Sequence, residues 1–339
     1  MTWLGTSRGF GSDICMGLEN FAYSQTIGIA SFLGRGFMNP VDMRLDSKGI
    51  LFVLSRSNAG NKDVRISVQT LESDYMYEFG RWGTDPGQTT QPTAIVLDSD
   101  DRVFVTDEFM HNVSIFDREG KFIERWGEFG SGDGQFNRPS GMAMDSEGNI
   151  QIVDHLNARV QKFSPDGRFI SSFGTFGTGD GEFNFPWGIS LDAEDGIWIA
   201  DWRNDRVQRF TPDGEFVSVL GSSGSGDGEF DRPSGVHVSA EGTLYVADWR
   251  NDRVQVFGAD GGHSETLVGD ATLSKWCQEF LDVNPEQASW REGAGLFEQE
   301  KKFWRPSAIE TNDDGLVLIA DSCRHRIQIY QRTAVMASV

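Results

Sequence analysis

Residues 138–184 read RPSGMAMDSEGNIQIVDHLNARVQKFSPDGRFISSFGTFGTGDGEFN, and the fold can be predicted from this stretch. It contains four short runs with the length and composition of β-strands, which are PSGMAM, NIQIVD, RVQKF and RFISSF. Turn-forming residues separate these runs, and a glycine-rich segment follows the fourth one. Helical periodicity is absent, so the stretch predicts one four-stranded β-sheet.

The start of this unit, a proline followed by a short apolar strand, occurs six times along the chain. The six prolines are Pro40, Pro92, Pro139, Pro186, Pro233 and Pro306. Three of the steps between them are 47 residues long, whereas the first is 52 and the last is 73. Four strands repeated six times predict an all-β fold, a six-bladed β-propeller with four-stranded blades.

The two ends of the chain predict how the ring closes. The last unit ends after its third strand, at residue 330, and residues 21–27 resemble an outer strand. We expect this N-terminal strand to complete the sixth blade, because a closed ring leaves no free sheet edge. The predicted organisation is an N-terminal extension over 1–20, one propeller domain over 21–330 and a C-terminal tail over 331–339.

The 73-residue step indicates an insertion over residues 263–304, between blades five and six. Within it Trp276 and Phe280 lie at helical spacing, with Thr272 as a candidate N-cap and Pro285 as a stop. We expect a short helix over the central opening. It can act as a lid, as a recognition element for a partner, or as a packed plug.

Charge and cysteine content limit the classes of partner and the compartment. The chain has 30 Lys and Arg against 51 Asp and Glu, a formal net charge of −21, which argues against nucleic acid and an anionic membrane. The N-terminal residues lack the pattern of a signal peptide, and no apolar run reaches the length of a membrane span. Three widely spaced cysteines, Cys15, Cys277 and Cys323, favour reduced thiols. We therefore expect a cytoplasmic protein.

Residues 233–257, PSGVHVSAEGTLYVADWRNDRVQVF, resemble the NHL repeat, as do their counterparts at 139–163 and 186–210. The resemblance implies a six-bladed NHL propeller, and such propellers often serve as interaction platforms for proteins or RNA. Related six-bladed propellers include metal-dependent lyases of hydroxyglycine peptides and lactone hydrolases, with the site at the central channel. The first blade departs from the pattern, because Ser55 stands where other blades have Asp.

The resemblance to the lyases implies zinc-binding histidines directly after the blade proline. Here those positions hold Val41, Thr93, Ser140, Trp187, Ser234 and Ser307. None is a ligand of that kind, so the lyase zinc site does not carry over. An enzyme would need a different centre.

The second strand of five units ends in an aspartate, and in four of them an arginine follows five residues later. The aspartates are Asp107, Asp154, Asp201, Asp248 and Asp321. A residue present in so many blades serves the blade, so we interpret each carboxylate as a hydrogen-bond acceptor within its own turn. The alternative is a ring of carboxylates for a cation.

Function on a symmetric scaffold is expected where the repeat breaks. Directly after the repeat aspartate, two neighbouring blades carry Trp202-Arg203 and Trp249-Arg250. Trp and Arg are enriched at binding hot spots, and an arginine pair suits a carboxylate or a phosphate. The alternative is that these side chains stack and pair within their own blades. Further candidate binding residues on the same face are His155, Arg324 and Trp276.

The innermost strands carry a second group of candidates, four residues after each proline. In blades five, six and one this position holds His237, Glu310 and Arg44, which are candidate catalytic residues. Asp42 lies on the same side of its strand, and His237, Glu310 and Asp42 are candidate ligands for zinc or calcium. A His beside a carboxylate can act as a general base or bind a metal. The alternative is a buried ion pair beside a hydrogen-bonded histidine.

Two classes of function follow from these candidates. The first is a stand-alone binding module for a protein or a small anionic ligand, on the face with the Trp-Arg loops and the insertion. The second is a metal-dependent lyase or hydrolase, with a divalent cofactor in the central channel. Neither nucleic acid nor a membrane is expected as a partner.

Overall fold

The fold is the predicted all-β propeller. The computed structural model describes residues 20–56 and 62–333. Six four-stranded sheets form the blades, and the inner strand of each blade lies beside the inner strand of the next. Within the described residues no helix is long and apolar enough to cross a membrane.

In blades one to five the strands follow one another from the axis outward. Blade one has Pro40–Leu45, Leu51–Ser55, Arg65–Gln69 and Tyr75–Phe79. Blade two has Pro92–Leu97, Val103–Asp107, Asn112–Phe116 and Phe122–Trp126. Blade three has Pro139–Met144, Ile150–Asp154, Arg159–Phe163 and Phe169–Phe173. Blade four has Pro186–Leu191, Ile197–Asp201, Arg206–Phe210 and Phe216–Leu220, and blade five has Pro233–Val238, Leu244–Asp248, Arg253–Phe257 and His263–Leu267.

Blade six and the connections complete the ring. The strands of blade six are Pro306–Thr311, Leu316–Asp321, Arg326–Thr333 and, outermost, Asn20–Ile27. Short parallel pairs join the first five blades, and they are Arg81–Trp82 with Gln88–Thr89, Glu128–Phe129 with Gln135–Phe136, Thr175–Phe176 with Glu182–Phe183, and Ser222–Ser223 with Glu229–Phe230.

The core consists of apolar side chains packed between neighbouring blades. Phe136, Phe183 and Phe230 occupy equivalent places just before an inner strand and are fully buried. The Phe183 ring lies where a Cβ on Gly174 would stand, 2.4 Å away, and the φ of Gly174 is +93°. Only glycine combines this backbone with so close an approach, which explains why glycine recurs after the outer strand.

The closing strand pairs as predicted. Asn20–Ile27 runs antiparallel to Arg326–Thr333, and Ile27 lies opposite Ile327. Both isoleucines are fully buried. The third strand of blade six is longer than the sequence indicates, because it continues three residues beyond position 330.

The insertion is shorter than predicted and more helical. Its first residues, His263–Leu267, form the outer strand of blade five. Three helices follow, and they are α1 (Lys275–Val283), α2 (Pro285–Ala294) and α3 (Phe297–Lys301).

The predicted N-cap of α1 at Thr272 is wrong. The Ser274 hydroxyl caps the helix by accepting a hydrogen bond from the N–H of Cys277 (3.1 Å), whereas the Thr272 hydroxyl bonds to Tyr23 (2.9 Å). Helix α1 ends at Val283, and Pro285 then opens α2, where its missing N–H is not needed.

The predicted place of the insertion over the central opening is also wrong. Trp276 is buried against Ile27 and Phe37, and its indole N–H donates to the Ser73 carbonyl (2.8 Å). The structure describes every residue of the insertion, and none lines the three axial cavities described below. The helices therefore brace the closing strand instead of covering the axis.

Some predictions lie outside the described residues. These are the N-terminal extension up to residue 19, with Cys15, and the tail over 334–339. The other two cysteines, Cys277 and Cys323, are free thiols.

Candidate functional site

The repeat aspartates hold the loops at one end of the ring, which we call the upper face. Asp201 accepts hydrogen bonds from the Asn184 N–H (2.8 Å) and from the side chains of Asn204 (2.8 Å) and Arg206 (3.0 Å). The carboxylate is fully buried, and burial raises its pKa. Asp154 and Asp248 make equivalent bonds. These aspartates are therefore part of the scaffold.

The axis is narrowest at three glycines of neighbouring inner strands, Gly141, Gly188 and Gly235. A Cβ on any of them would stand 2.4–2.5 Å from a carbonyl oxygen of the next blade, so only glycine permits this spacing. The cavity at this level measures ≈ 40 Å³, which is room for water but not for a larger ligand. We call this constriction the neck, and it separates two larger cavities.

Above the neck lies a cavity of ≈ 270 Å³, which we call the upper funnel. Trp187, Trp202 and Trp249 form its apolar wall, and Arg56 and Arg305 also line it. The rings of Trp202 and Trp249 are neighbours, with centroids 6.4 Å apart.

The positions directly after the blade prolines lie at the base of the funnel. Five of the six line it, and they are Val41, Thr93, Trp187, Ser234 and Ser307. The Ser234 hydroxyl donates to the Pro306 carbonyl (3.2 Å), and the Ser307 hydroxyl donates to the Pro40 carbonyl (3.1 Å). These hydroxyls bind the neighbouring blade.

Three arginines of the upper face stack on aromatic rings, and we call them the stacked arginines. The pairs are Arg203 on Phe185, Arg232 on Trp202 and Arg305 on Trp249, each with 4.3–4.5 Å between the guanidinium carbon and the ring centroid. Among the described residues these guanidiniums have no ion pair and no hydrogen bond, and only backbone N–H groups are engaged, as Arg232 N–H is by Asp205. Carboxylates of Asp205 and Asp252 accept from the backbone N–H groups of Arg232 and Arg305 (both 2.8 Å), so it is the guanidiniums that lack a direct ionic partner.

Arg56, on the other side of the funnel, is held by acidic and amide groups. Its guanidinium pairs with the buried Glu108 and donates to the Gln91 side chain (2.8 Å). Arg138 reaches the same Glu108 carboxylate (3.1 Å). Two guanidiniums thus share one carboxylate.

Of the seven binding residues predicted from the sequence, only Trp202 and Trp249 line the funnel. Arg203 lies beside it as a stacked arginine. Arg250 stands 3.7 Å from Asp231, so it has an acidic neighbour.

The other three predicted binding residues are engaged elsewhere. Arg324 donates to the Gln299 carbonyl (2.8 Å), and Trp276 is buried beneath the closing strand. His155 is buried with Nδ1 2.9 Å from the Pro186 carbonyl, and burial lowers its pKa.

Sequence reasoning missed Trp187, Arg56, Arg232 and Arg305. A signal for two of them was present in the residue just before each blade proline. Five of these six residues have a positive φ, and they are Asn39, Arg138, Phe185, Arg232 and Arg305. Reading this position across the blades would have shown three arginines at the edge of one opening.

Below the neck lies a cavity of ≈ 310 Å³, which we call the lower cavity. His237, Glu310 and Arg44 line it together, as their shared position in the repeat predicts. Arg44 Nη1 donates to Asp42 Oδ1 (2.8 Å) and lies 3.6 Å from Glu310 Oε2. The Nε2 atom of His237 is 2.8 Å from the Thr311 hydroxyl.

Burial controls the charge of these groups. It raises the pKa of Glu310 to about 7, although the charge of Arg44 opposes this shift. Burial and the charge of Arg44 together lower the pKa of His237 to about 3. Near neutral pH the imidazole is therefore uncharged, while the Glu310 carboxyl group is partly protonated and partly ionised.

The arrangement does not fit the predicted zinc or calcium ion. In the part of the chain that the structure describes, no three His, Cys, Asp or Glu side chains lie close enough together to hold a metal. A guanidinium nitrogen already contacts the carboxylates of Asp42 and Glu310. The zinc or calcium site stays a prediction, which the metal content of the purified protein tests.

Two protein-family models match the chain. The NHL repeat matches residues 183–210, 230–257 and 303–330, and a model described as a 6-bladed beta-propeller matches residues 88–164. The chain is a six-bladed NHL propeller. No curated protein matches it by sequence.

Solved structures share the fold of this NHL propeller. Virginiamycin B lyase from Staphylococcus aureus has a TM-score of 0.54 and 13% identity, covering 94% of this chain and 90% of that one. A streptogramin B lyase has a TM-score of 0.58 and 13% identity, with 93% and 98% covered. A protein of unknown function from Bacteroides thetaiotaomicron has a TM-score of 0.60 and 18% identity, with 93% and 76% covered. Identities this low show the fold alone.

Proposed function

We propose that this NHL propeller is a binding module whose upper funnel takes an anionic ligand with an apolar or aromatic portion. The observation that carries the proposal is the set of stacked arginines. In a chain with 51 acidic residues, their guanidiniums have no ionic partner among the described residues. Cations left without a partner in so acidic a chain are expected to serve a ligand.

Stacking prepares these arginines for an anion. The guanidinium lies over the face of the ring, as that of Arg305 does over Trp249, and this contact restrains the side chain. The N–H edge remains available for two parallel hydrogen bonds to a carboxylate or a phosphate. Less side-chain freedom is then lost when the anion binds.

The wall of the funnel supplies the second part of the specificity. Trp187, Trp202 and Trp249 offer ring surface in a cavity of ≈ 270 Å³, a space suited to one aromatic or branched group. An anion on such a group satisfies the wall and the arginines at once. The anionic group can belong to a small molecule or to a partner protein, because both present the same chemistry.

The alternative prediction, a metal-dependent lyase or hydrolase, has the fold likeness in its favour and no observation at the site. The Ser234 and Ser307 hydroxyls, which follow blade prolines, bind neighbouring blades, and Arg44 contacts the carboxylates of both Asp42 and Glu310. Binding is therefore the function that the geometry supports best. Divalent metal content of the purified protein tests the alternative.

Titration with phenyl phosphate tests the binding function, by calorimetry and by tryptophan fluorescence. We expect saturable binding that phenol does not reproduce. The double variant Arg232→Gln/Arg305→Gln should bind about tenfold more weakly or worse, because each lost charged hydrogen bond contributes about 1.5–3 kcal/mol. The control is Arg168→Gln, whose guanidinium is exposed and, within 20–56 and 62–333, pairs with Asp166 alone. Equal affinity of phenol, or an unchanged affinity of the double variant, would contradict the proposal.

A further inference from the structure

Two carboxylates and one guanidinium meet where the lower cavity joins the neck. The carboxylates of Asp42 and Glu310 share a single guanidinium nitrogen of Arg44. Asp42 is well satisfied, since it also accepts from the N–H of Met43 and of Ile95 (both 2.9 Å). Glu310 is therefore the less well satisfied of the two carboxylates.

Glu310 has few partners of its own. Among the described residues no side chain donates a hydrogen bond to its carboxylate, and its neighbours are the Leu45 N–H and the guanidinium of Arg44 at 3.6 Å. A buried carboxylate in this state either takes a proton or binds a cation. A positively charged ligand group can thus compete with the proton.

Two further acceptors face the same cavity. The Ser190 hydroxyl accepts from the Val238 N–H (3.1 Å) and keeps a second lone pair. His237 is uncharged near neutral pH, and when its Nε2–H donates to Thr311, Nδ1 is an acceptor. Glu310, His237 and Ser190 together provide three acceptors, and a primary ammonium group has three N–H donors.

The rest of the lining is apolar. It consists of Leu45, Val96, Leu97, Ala143, Met144, Ile189, Leu191, Val236 and Val238. A short alkyl chain can pack against these side chains. The cavity of ≈ 310 Å³ gives such a chain sufficient room.

The turns around the mouth of this cavity attract cations. Each inner strand ends at the cavity and continues into a turn, and the six turns are 46–49, 98–101, 145–148, 192–195, 239–242 and 312–315. Together they contain twelve Asp or Glu and one Lys. Six of these acidic residues have no ion pair among the described residues, and they are Asp100, Glu147, Glu194, Asp195, Asp313 and Asp314. These unpaired carboxylates raise the local concentration of cations at the mouth.

We propose that the lower cavity is a second ligand site, which binds a primary alkylammonium group with its nitrogen at Glu310, His237 and Ser190 and its alkyl chain against the apolar wall. The site is independent of the upper funnel, because the neck of ≈ 40 Å³ lies between them. The ammonium can belong to a free amine or to a lysine side chain of a partner.

Calorimetry and ligand-observed NMR at pH 8 with n-butylamine test this site, with 1-butanol and butyrate as probes of the same length. We expect butylammonium to bind, and the neutral and anionic probes to bind at least about tenfold more weakly, since a charged hydrogen bond is lost. N-acetyl-lysine amide distinguishes the two sources. Binding equal to that of butylamine assigns a lysine side chain, and weaker binding assigns a free amine.

Variants locate the site. Glu310→Gln should lose at least about tenfold in butylammonium affinity, whereas Glu147→Gln, an exposed carboxylate of the same mouth, should change it less than about twofold. Phenyl phosphate affinity should be unchanged in both variants, so failure here leaves the function of the upper funnel standing. In the unmodified protein, butylammonium should shift the ring signals of His237 and not those of His155. Equal binding of 1-butanol, an unmoved His237, or full affinity in a folded Glu310→Gln variant would overturn the proposal.

Discussion

The two ends of the propeller axis differ in charge, although the same six strands form both. At the upper funnel the guanidiniums of the stacked arginines have no ion pair among the described residues, whereas where the lower cavity joins the neck the carboxylates of Asp42 and Glu310 share the guanidinium of Arg44. The neck, which holds a cavity of only ≈ 40 Å³, lies between the two ends. The net charge of −21 therefore predicts the charge of neither site, because the residues at one end of a repeated blade can vary independently of those at the other end.

The difference arises from the positions of the repeat that reach each end. Residues just before and after the blade proline, and those after the repeat aspartate, face the upper funnel. Residues at the end of the inner strand and in the turn that follows face the lower cavity. A substitution at one of these positions changes one end and leaves the backbone of the other in place.

The largest effect is expected away from both ends, in the insertion. Trp276→Ala should lower the free energy of unfolding by about 3–5 kcal/mol, because it empties a buried ring site beneath the closing strand. Urea unfolding measures this loss, and Trp290→Ala, whose ring is 69% exposed, should stay within about 0.5 kcal/mol of the unmodified protein. Both ligand affinities should persist in Trp276→Ala. A change in phenyl phosphate affinity would show that the insertion acts on the upper funnel after all.

The next prediction concerns the neck, because it separates the upper funnel from the lower cavity. In Gly188→Ala the new Cβ would stand 2.5 Å from the Ser234 carbonyl oxygen, so the inner strands must move apart. We expect a loss of about 1–3 kcal/mol in unfolding free energy and weaker binding at both ends. Gly293→Ala, in the open surface of α2, should instead gain up to about 1 kcal/mol. Full stability of Gly188→Ala would mean that the axis is wider than described.

A smaller effect concerns pH and sharpens the description of the lower end. The folded protein holds a proton on Glu310 up to a pKa of about 7, while the unfolded chain releases it near 4.5. This group therefore adds stability that is present below pH 4.5 and is lost as the pH rises through 7. Between pH 5 and pH 8 the free energy of unfolding should fall by about 1–3 kcal/mol more in the unmodified protein than in Glu310→Gln.

The same comparison controls for His237. Its pKa of about 3 means that its stability contribution is lost as the pH falls below 6.5, the opposite sign, but it is present in both proteins. Arg44 and Asp42, which face Glu310, are also common to both. Parallel stability curves for the two proteins would show that Glu310 titrates normally.

Periodicity in the sequence was sufficient to predict the propeller, its closure and the scaffold role of the repeat aspartates. It also brought His237, Glu310 and Arg44 together, because residues at one position of adjacent inner strands must lie side by side around the axis. These predictions depend on backbone register alone, and register is what a repeat specifies.

The remaining features depend on side-chain direction and on contacts outside the repeat. Arg203 follows Trp202 in sequence, yet it turns to the Phe185 ring instead of lining the funnel. The cap of α1 is Ser274 because the Thr272 hydroxyl is already bonded to Tyr23, a residue about 250 positions away. Local sequence patterns give no information about such long-range partners, so the position that the sequence predicts for the insertion, over the axis, is wrong.

The two ends of the axis are expected to bind ligands of opposite charge independently. The most direct measurement titrates the unmodified protein, Arg232→Gln/Arg305→Gln and Glu310→Gln with phenyl phosphate and with n-butylamine. Each ligand is titrated alone and in the presence of a saturating concentration of the other. We predict additive binding in the unmodified protein, loss of only the anion in the first variant, and loss of only the amine in the second. Competition between the two ligands, or loss of both in one folded variant, would contradict the account.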